Sequence, residues 1–444
     1  MRRVGLVAYW YPPRQAAGAL RAAALARYLP AFGWEPVVVT VRPRSSLHLP
    51  PGPAVVEDVP EPALATTDRA WHAFAAAAVE ALRGSAALEP LKTENALASR
   101  RPHTRVAHWF YRHVLSFPDD AWPWLVDRRS VARVFAAHGV EAIVSTSPPP
   151  TAHLVAAAAA RRLQVPWIAD YRDPWSQRSA WRRAWPLAGV EARLERRTLA
   201  SAAQVVTVSA PIAANLARLL GRSVSVVPNG FDPADRRAIV ADPLPIAADR
   251  FTLIHTGTLT GSRDPGILFA ALDALVARGD LPIASLEVWF IGRHLDVARR
   301  AAARWPALAP ALRYPGAVPR AAALDAQRRA TALLALGSPN AAYDGDVPTK
   351  VFEYLDAGRP ILAIASPQSA LAALLGATRG GIVASTAAEV EVALLDWLGR
   401  WRDEGGLTAS GDRQVIAGYE RKRLTGEFAR ILDRAVAGVL DEAV

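Results

Sequence analysis

The sequence has no cysteine, a single methionine and only three lysines among its 444 residues. The lack of cysteine excludes disulfides, thiolate metal sites and cysteine nucleophiles, and is compatible with a reducing cytoplasm. No uninterrupted apolar run reaches the roughly 18 residues that a membrane-spanning helix needs. The short apolar run after Met1 ends at Pro12 and Pro13 without a cleavage site, which predicts a first strand and not a signal peptide. Any chemistry must therefore come from histidine, carboxylates, arginine and the backbone.

What the chain does contain is typical of a soluble globular protein, with 51% hydrophobic and 21% charged residues. At this length two domains of roughly 200 residues each are expected. The net charge of +11 and the pI near 10.4 permit attraction to anionic lipid, nucleic acid or a phosphorylated substrate. The arginines are scattered and no nucleic-acid-binding motif accompanies them, so we expect no nucleic acid partner.

Strand and helix patterns alternate along most of the chain, as in doubly wound α/β sheets. Strands are predicted at residues 3–9, 36–41, 142–146, 166–169, 204–209, 224–227, 252–255, 285–291 and 361–365, and helices at 20–29, 151–163, 187–200, 265–278 and within 348–357. Residues 232–250 hold several prolines and aspartates and predict a linker. Residues 44–107 lack clear alternation and predict an insertion of loops with one helix near 71–82. The tail from 414 to 441 predicts a largely helical segment with one apolar side.

Two places in the first half carry candidate ligand groups. Gly18, at the start of the first helix, could let a ligand phosphate or sugar approach the backbone, with Arg21 nearby, although turn geometry explains a single glycine equally well. A predicted strand runs into Asp170, Arg172 and Asp173, which places two carboxylates and an arginine at a carboxyl end, where open α/β sheets bind ligands. The alternative is that Arg172 forms a salt bridge that braces a loop.

Aromatic residues crowd together between Val106 and Trp124. Aromatics at this density usually pack against one another. An acceptor groove would use the same residues to contact a sugar or an isoprenoid.

The most informative stretch is residues 343–362, Y-D-G-D-V-P-T-K-V-F-E-Y-L-D-A-G-R-P-I-L. Pro348 suits the first turn of a helix, and Gly358 suits its end. The free N–H groups of a helix start attract phosphate, Lys350 adds a full charge, and Glu353 could accept hydrogen bonds from vicinal hydroxyls on the face of the helix that is not buried. A phosphate beside a diol describes a nucleotide. The alternative is a solvated Lys–Glu pair.

Several stretches match one pattern in order: Y-W-Y-P-P, T-S-P-P-P-T-A-H, P-W-I-A-D-Y-R-D-P-W, V-V-P-N-G-F-D, H-T-G-T-L and P-T-K-V-F-E-Y-L-D-A-G-R-P-I-L. Together they resemble the family-4-like glycosyltransferases of the two-Rossmann (GT-B) fold. The resemblance implies an α/β architecture of two Rossmann-like, doubly wound domains facing across a cleft. It assigns residues 1–235 to the acceptor domain with the insertion at about 44–107, residues 236–413 to the donor domain, and residues 414–444 to a helix that crosses back to the first domain.

The resemblance also implies an enzyme that moves a sugar from a nucleotide-sugar donor to an acceptor. In this family two acidic residues eight positions apart mark the donor site, and the second corresponds to Glu353, which is expected to hold the ribose hydroxyls. Strict spacing puts the first at Gly345. Asp344 and Asp346 flank this glycine, and either could reach the sugar.

We place Gly257 of the H-T-G-T-L motif, Arg263 and Lys350 in the donor site as well. The two cations, together with the helix starts at Pro265 and Pro348, would stabilise the negative charge on the leaving diphosphate. Such an arrangement needs no metal and no cofactor beyond the nucleotide-sugar. The D-G-D at residues 344–346 is therefore interpreted as turn chemistry.

Many members of the family carry a histidine near the end of the strand that here reads Asp170-Tyr171-Arg172-Asp173. Because no histidine stands there, a carboxylate is expected to take the polar role near the anomeric carbon, with Asp173 the first candidate and Asp170 the second. His153 is the third candidate, and is otherwise a residue of a helix start. The resemblance further implies a retaining reaction.

Three other functions remain open at this point. One is an epimerase of the same architecture, one is a transferase relative that keeps only donor binding, and one is a basic protein that binds nucleic acid or anionic lipid through its arginines. We expect a glycan or lipid-linked acceptor, a role in glycan, glycolipid or cell-envelope synthesis, and a cytoplasmic protein in peripheral contact with the inner face of an anionic membrane.

Overall fold

A computed structural model describes residues 1–12, 17–41, 55–59, 116–177, 183, 185–237, 240–259, 263–407 and 411–438. The chain divides into two compact units. The first comprises Met1–Val208, Ile212–Val227 and Thr425–Val444, and the second comprises Ser209–Pro211 and Pro228–Leu424. The helix predicted near residues 71–82 lies outside the described residues.

The first unit is built on a seven-stranded parallel sheet of order β3-β2-β1-β4-β5-β6-β7. Its strands are β1 (Arg2–Val7), β2 (Trp34–Val41), β3 (Val55–Val59), β4 (Ala142–Ser147), β5 (Trp167–Tyr171), β6 (Gln204–Thr207) and β7 (Ser225–Val226). The helices that precede residue 228 are α1 (Ala17–Tyr28), α2 (Arg128–Ala137), α3 (Thr151–Leu163), α4 (Leu187–Leu199) and α5 (Ala210–Leu220). All side chains of β4 and β5 are buried, as expected for strands covered on both faces.

The second unit is built on a six-stranded parallel sheet of order β10-β9-β8-β11-β12-β13. Its strands are β8 (Phe251–Thr256), β9 (Leu286–Ile291), β10 (Leu312–Gly316), β11 (Ala332–Leu336), β12 (Ile361–Ile364) and β13 (Gly381–Ala384). The helices from residue 228 onward are α6 (Gly266–Arg278), α7 (Asp296–Ala302), α8 (Arg320–Arg329), α9 (Lys350–Ala357), α10 (Ala370–Thr378), α11 (Ala387–Glu404), α12 (Arg413–Ala417) and α13 (Arg421–Val436).

Both faces of the second sheet are covered by apolar layers. Leu334 in β11 belongs to one buried cluster, whereas its neighbour Leu333 belongs to the cluster on the opposite face. Successive side chains of a strand point to opposite faces, so a continuous apolar run is what such a strand requires. The sheet order in both units is that of a doubly wound α/β fold, and the predicted two-Rossmann fold is confirmed.

Three predictions of local structure need correction. The segment 44–107, predicted as loops with one helix, contributes the edge strand β3, which pairs in parallel with β2. The tail is largely helical, as predicted, but consists of two helices, because α12 ends at Ala417 and α13 begins at Arg421. The first helix begins at Ala17, earlier than residue 20. By contrast, α3 has the predicted bounds. No helix in the described part of the chain is long and apolar enough to cross a membrane.

Candidate functional site

A pocket opens in the second unit at the carboxyl ends of two neighbouring strands. It is open to solvent, and the space within it, with that open solvent included, is about 320 Å³. Gly337, which follows β11, and Ala365, which follows β12, form its floor, and the other lining residues are Arg263, Ser338, Tyr343, Asp346, Pro348, Ser369 and Leu371. The pocket thus joins the predicted cation Arg263 to the segment that leads into α9. This edge of an open parallel sheet is where ligands bind in doubly wound folds.

Helix α9 begins two residues after Pro348, which lines this pocket. Val351, Phe352 and Leu355 are buried against the sheet, as the apolar pattern predicts. Thr349, at the N-cap, makes no side-chain capping bond within the described part of the chain. The N–H of Val351 donates to the carbonyl oxygen of Pro348 at 2.9 Å, so only the other N–H groups of the first turn keep the capacity to bind an anion.

Glu353 does not lie on an open face of α9, which corrects the prediction. Its side chain is 3% exposed, and Lys350 Nζ, on a side chain that is 32% exposed, lies 3.3 Å from its Oε2. Arg320 Nη1 donates to Glu353 Oε1 at 2.6 Å. Burial raises the pKa of Glu353, but Lys350 and Arg320 lower it by more, so the pKa lies below its ordinary value. Glu353 is thus an ionised acceptor held between two partly exposed cations.

His255 and Gly257 lie behind Lys350 at the end of β8. His255 Nδ1 is 3.0 Å from the carbonyl oxygen of Leu334, which can only accept, so Nδ1 carries the proton. Its Nε2 has no hydrogen-bond partner among the described residues. Gly257 has a φ of 135°, and a Cβ on Gly292, at the end of β9, would overlap the carbonyl of Gly257. The positive φ gives Gly257 a structural reason to be glycine, and the close approach of the two strand ends gives Gly292 one.

The other predicted helix start is already occupied. The N–H of Gly266, at the beginning of α6, donates to the carboxylate of Asp264 at 2.8 Å. Within the D-G-D segment, the backbone carbonyl of Asp344 accepts from the N–H of Ala370 at 2.6 Å, and the N–H of Asp346 donates to Tyr343 at 2.9 Å. The second bond is a turn contact, in line with the interpretation of D-G-D as turn chemistry, and the first ties the segment to the start of α10.

In the first unit, Asp170 is fully buried at the end of β5. Arg21 Nε donates to Asp170 Oδ2 at 2.9 Å and Arg21 Nη2 to Oδ1 at 2.8 Å. Thr146 Oγ1 donates to Oδ2 at 2.9 Å. The structure therefore brings together two residues that the sequence placed in different sites. This buried bidentate pair gives both residues a structural function, whatever else they do.

Arg172 fills the space next to Gly18. Its Nε donates to the carbonyl of Ser147 at 3.0 Å and its Nη2 to that of Pro148 at 2.8 Å. A Cβ on Gly18 would fall within the van der Waals radius of the Arg172 guanidinium. The absence of a side chain at Gly18 therefore makes room for an arginine of the protein itself.

We expect Gly18→Ala to destabilise the protein by about 1–3 kcal/mol, because the anchored guanidinium cannot move aside without losing its carbonyl partners. Gly189→Ala on α4 is the matched control, since a Cβ there meets no atom within 4 Å. Alanine in that helix should stabilise by roughly 0.5–1 kcal/mol. Urea unfolding measures both changes, and equal effects of the two substitutions would contradict the role given to Arg172.

The two other catalytic candidates lie in different surroundings. His153 is fully buried, its Nδ1 is 2.7 Å from Ser145 Oγ, and its ring stacks on Tyr171 at a centroid distance of 4.4 Å. The first amide of its helix is taken by Asp119, whose carboxylate accepts from the N–H of Thr151 at 2.6 Å. Asp173, in contrast, is exposed. The catalytic roles of Asp173, Asp170 and His153 stay predictions.

Buried histidines make the stability of both units depend on pH. Burial lowers the pKa of His153 to about 3 and that of His255 to about 4. Below about pH 6.5 the unfolded chain takes up protons at these rings while the folded protein does not. The free energy of unfolding should therefore fall as the pH is lowered from about 6.5 to about 4, by up to about 1.4 kcal/mol per pH unit for each histidine.

Urea unfolding at a series of pH values tests this dependence. His153→Gln or His255→Gln should lower the number of protons taken up on unfolding by one, and the slope of the unfolding free energy with pH falls accordingly. His294→Gln, at an exposed position, should leave the slope unchanged. A slope that neither buried substitution alters would contradict the assignment.

Part of the aromatic stretch is described. Trp124 is buried and packs edge-on against Tyr9 at 5.6 Å, which agrees with the packing interpretation. Trp122 is 38% exposed. Residues 106–115 lie outside the described part of the chain.

Sequence reasoning missed the residues that surround Glu353. Arg320 and Gln327 lie in α8, where no motif marks them. Thr256, which accepts a hydrogen bond from Gln327, lies in the H-T-G-T-L motif but was not assigned to the site. The one available signal was Pro319 before Arg320, which predicts a helix start but not its partner.

The sequence was compared with protein families and curated proteins, and the fold was compared with solved structures. Residues 89–235 match the family described as Glycosyltransferase Family 4. No curated protein matches the sequence significantly. The fold is similar to that of a glycosyltransferase from Rickettsia africae (10% identity, TM-score 0.59, 98% of each chain covered) and of HepE from Anabaena in complex with UDP and glucose (13%, 0.60, 98% of this chain and 99% of that one). It is also similar to that of a UDP-forming α,α-trehalose-phosphate synthase from Burkholderia xenovorans in complex with glucose-6-phosphate (14%, 0.59, 97% and 100%).

Residues 89–235 thus carry the sequence pattern of a glycosyltransferase family, and the chain as a whole has the GT-B fold of these neighbours. The resemblance to the family-4-like glycosyltransferases, which the ordered motifs predict, is confirmed over residues 89–235.

Proposed function

We propose that the protein transfers a sugar from a nucleotide-sugar donor to a glycan or lipid-linked acceptor, with retention of configuration and without a metal. The observation that carries the proposal is the pocket at the ends of β11 and β12, which joins Arg263 to the start of α9. Structural neighbours of the same fold were solved with UDP and with UDP-glucose, which supports a nucleotide-sugar as the ligand of this pocket.

The chemistry of the reaction explains why these groups are needed. When the bond between the anomeric carbon and the diphosphate breaks, negative charge develops on the leaving phosphate. Arg263, Lys350 and the N–H groups at the start of α9 supply prepositioned positive charge at that point. Glu353 then accepts hydrogen bonds from the ribose hydroxyls, and Asp344 or Asp346 contacts the sugar in place of the acidic residue that Gly345 replaces.

A donor screen tests the proposal. Calorimetric titration with UDP-, GDP- and dTDP-sugars should show binding of at least one, and Arg263→Gln should weaken it. If none binds at millimolar concentration, the proposal is wrong. Products separate transfer from epimerisation, because an epimerase releases free sugar or a rearranged nucleotide-sugar without any acceptor. A bound donor that is never turned over on any acceptor would indicate a protein that keeps only donor binding.

Contact with an anionic membrane is part of the proposal, and a surface of the first unit supports it. Trp185, just before α4, is 90% exposed, and Val190 on α4 is 51% exposed. The exposed arginines of the same helix are Arg193, Arg196 and Arg197. Exposed aromatic and apolar side chains beside basic ones are typical of helices that lie on anionic membranes.

Vesicle sedimentation tests this contact. The protein should bind vesicles that contain phosphatidylglycerol, and Trp185→Ser should weaken binding. Val392→Ser, at a position of the second unit that is 71% exposed, is the matched control. Equal binding to purely zwitterionic vesicles would exclude an electrostatic attraction between these arginines and anionic lipid.

A further inference from the structure

The carboxylate of Glu353 is enclosed on three sides. Arg320 Nη1 donates to Oε1 at 2.6 Å, Lys350 Nζ lies 3.3 Å from Oε2, and Gln327 Nε2 lies 3.4 Å from the same oxygen. Gln327 is fixed in turn, because its Nε2 also donates to Thr256 Oγ1 at 2.9 Å. An ionised carboxylate can accept about four hydrogen bonds, so about one acceptor position, on Oε1, remains for a ligand, and a second when Lys350 contacts the diphosphate.

Arg320 is held from its other side by a second carboxylate. Its Nη2 donates to Asp235 Oδ2 at 2.6 Å, and its side chain is 33% exposed. Asp235 belongs to the short 3-10 helix Pro233–Arg237. Arg320 links this helix to α9 through Glu353, and a second link is the hydrogen bond from Arg236 Nε to Asp356 Oδ1 at 2.9 Å. The guanidinium of Arg320 therefore bridges two carboxylates, and its planar geometry restricts the rotation of both.

A vicinal diol makes strict demands on a carboxylate. The carboxylate must be ionised, and its plane must face the hydroxyls. A carboxylate side chain that rotates freely would lose conformational entropy when the diol binds. Arg320 meets these demands at Glu353, since it fixes the position of Oε1 and compensates part of the cost of burying the charge. Lys350 cannot do this alone, because an ammonium group is a point charge without a preferred plane.

We propose that Arg320 is a positioning residue, which bridges Asp235 and Glu353 and so fixes the plane in which Glu353 accepts the ribose hydroxyls of the donor nucleotide. The inference rests on the proposed function, because it takes the donor site as given. Arg320 then determines how well the protein distinguishes a ribonucleotide from its deoxy counterpart.

Calorimetric titration with UDP, GDP and their 2′-deoxy counterparts tests the inference. The wild-type protein should prefer the ribonucleotide by roughly ten- to a hundredfold, the range expected for hydrogen bonds to a charged group. Arg320→Gln and Glu353→Gln should each remove most of this preference, while affinity for the deoxynucleotide changes little. The double substitution should add nothing further, because Arg320 acts through Glu353.

Arg236→Gln is the matched control, since this arginine contacts α9 at Asp356 and not at Glu353. It should keep the preference for ribose. Thermal melting of each variant confirms that the compared proteins are folded, and Arg320→Lys replaces Arg320→Gln if the latter is not.

The other outcomes are distinct. If Arg320→Gln weakens the ribo- and deoxynucleotide equally, Arg320 contacts the phosphates or only supports the fold, and the inference is wrong while the donor site stands. The same holds if the variant keeps the wild-type preference, or if the wild type binds both nucleotides equally well. If the wild type binds no nucleotide at all, the proposed function fails and the inference fails with it.

Discussion

Asp170→Asn should lower the free energy of unfolding by about 3–5 kcal/mol, the range for breaking a buried ion pair from one side. The reason is that Arg21, whose side chain is only 10% exposed, would keep its charge and lose its bidentate partner. Thr146 would also lose an ionised acceptor. Chemical unfolding followed by circular dichroism measures the loss, and Arg21→Leu together with Asp170→Leu should recover part of it, because an apolar pair leaves no buried charge.

Glu35→Gln is the control, since it removes a carboxylate from the solvent-exposed pair with Arg3. Its effect should be much smaller, because exposed pairs are screened by water. Wild-type stability of Asp170→Asn would contradict the structural role. Asp170 would then be free to serve as the catalytic carboxylate, next to Asp173.

Lys350→Gln should weaken the binding of a nucleoside diphosphate by about ten- to a hundredfold, as expected when a charge-assisted contact is lost. Lys350 stands at the first turn of α9, where its ammonium adds to the positive end of the helix. Arg320 still lies beside Glu353 in this variant, so the carboxylate that accepts the ribose hydroxyls keeps a cationic partner. The effect should shrink at high salt, because the side chain is partly exposed.

Two comparisons isolate the contribution of phosphate binding. Lys422→Gln makes the same change at an exposed position of α13 and should leave nucleotide affinity unchanged. Uridine, which has no phosphate, should bind Lys350→Gln and wild type about equally. If Lys350→Gln loses affinity for uridine and for UDP alike, the lysine does not act on the diphosphate.

Much of the fold could be predicted because the central strands and most helices have recognisable local sequence patterns. Apolar runs such as 361–364 are what a strand buried on both faces requires. The start and the end of the helix Thr151–Leu163 were both predicted from the sequence. The edge strand β3 escaped prediction because an isolated V-V-E-D-V lies among prolines and lacks the length of the central strands. In the tail, Gly418 breaks a pattern whose apolar side continues after it.

The candidate site could be predicted only in part, because its partners are distant in sequence. The motif around α9 marks Lys350 and Glu353, but the pairing of Arg320 with Glu353 spans 33 residues and its pairing with Asp235 spans 85. Such a pairing leaves no periodicity to detect. Arg21 and Asp170 show the same limitation, since two residues placed in separate sites form one buried pair.

The central claim is that the start of α9 binds a nucleotide-sugar, and one titration tests it most directly. Wild type and Glu353→Ala are titrated calorimetrically with UDP-, GDP- and dTDP-sugars under the same conditions. The account predicts that wild type binds at least one of these donors and that Glu353→Ala binds it at least about tenfold more weakly. Equal binding of that donor by both proteins would contradict it.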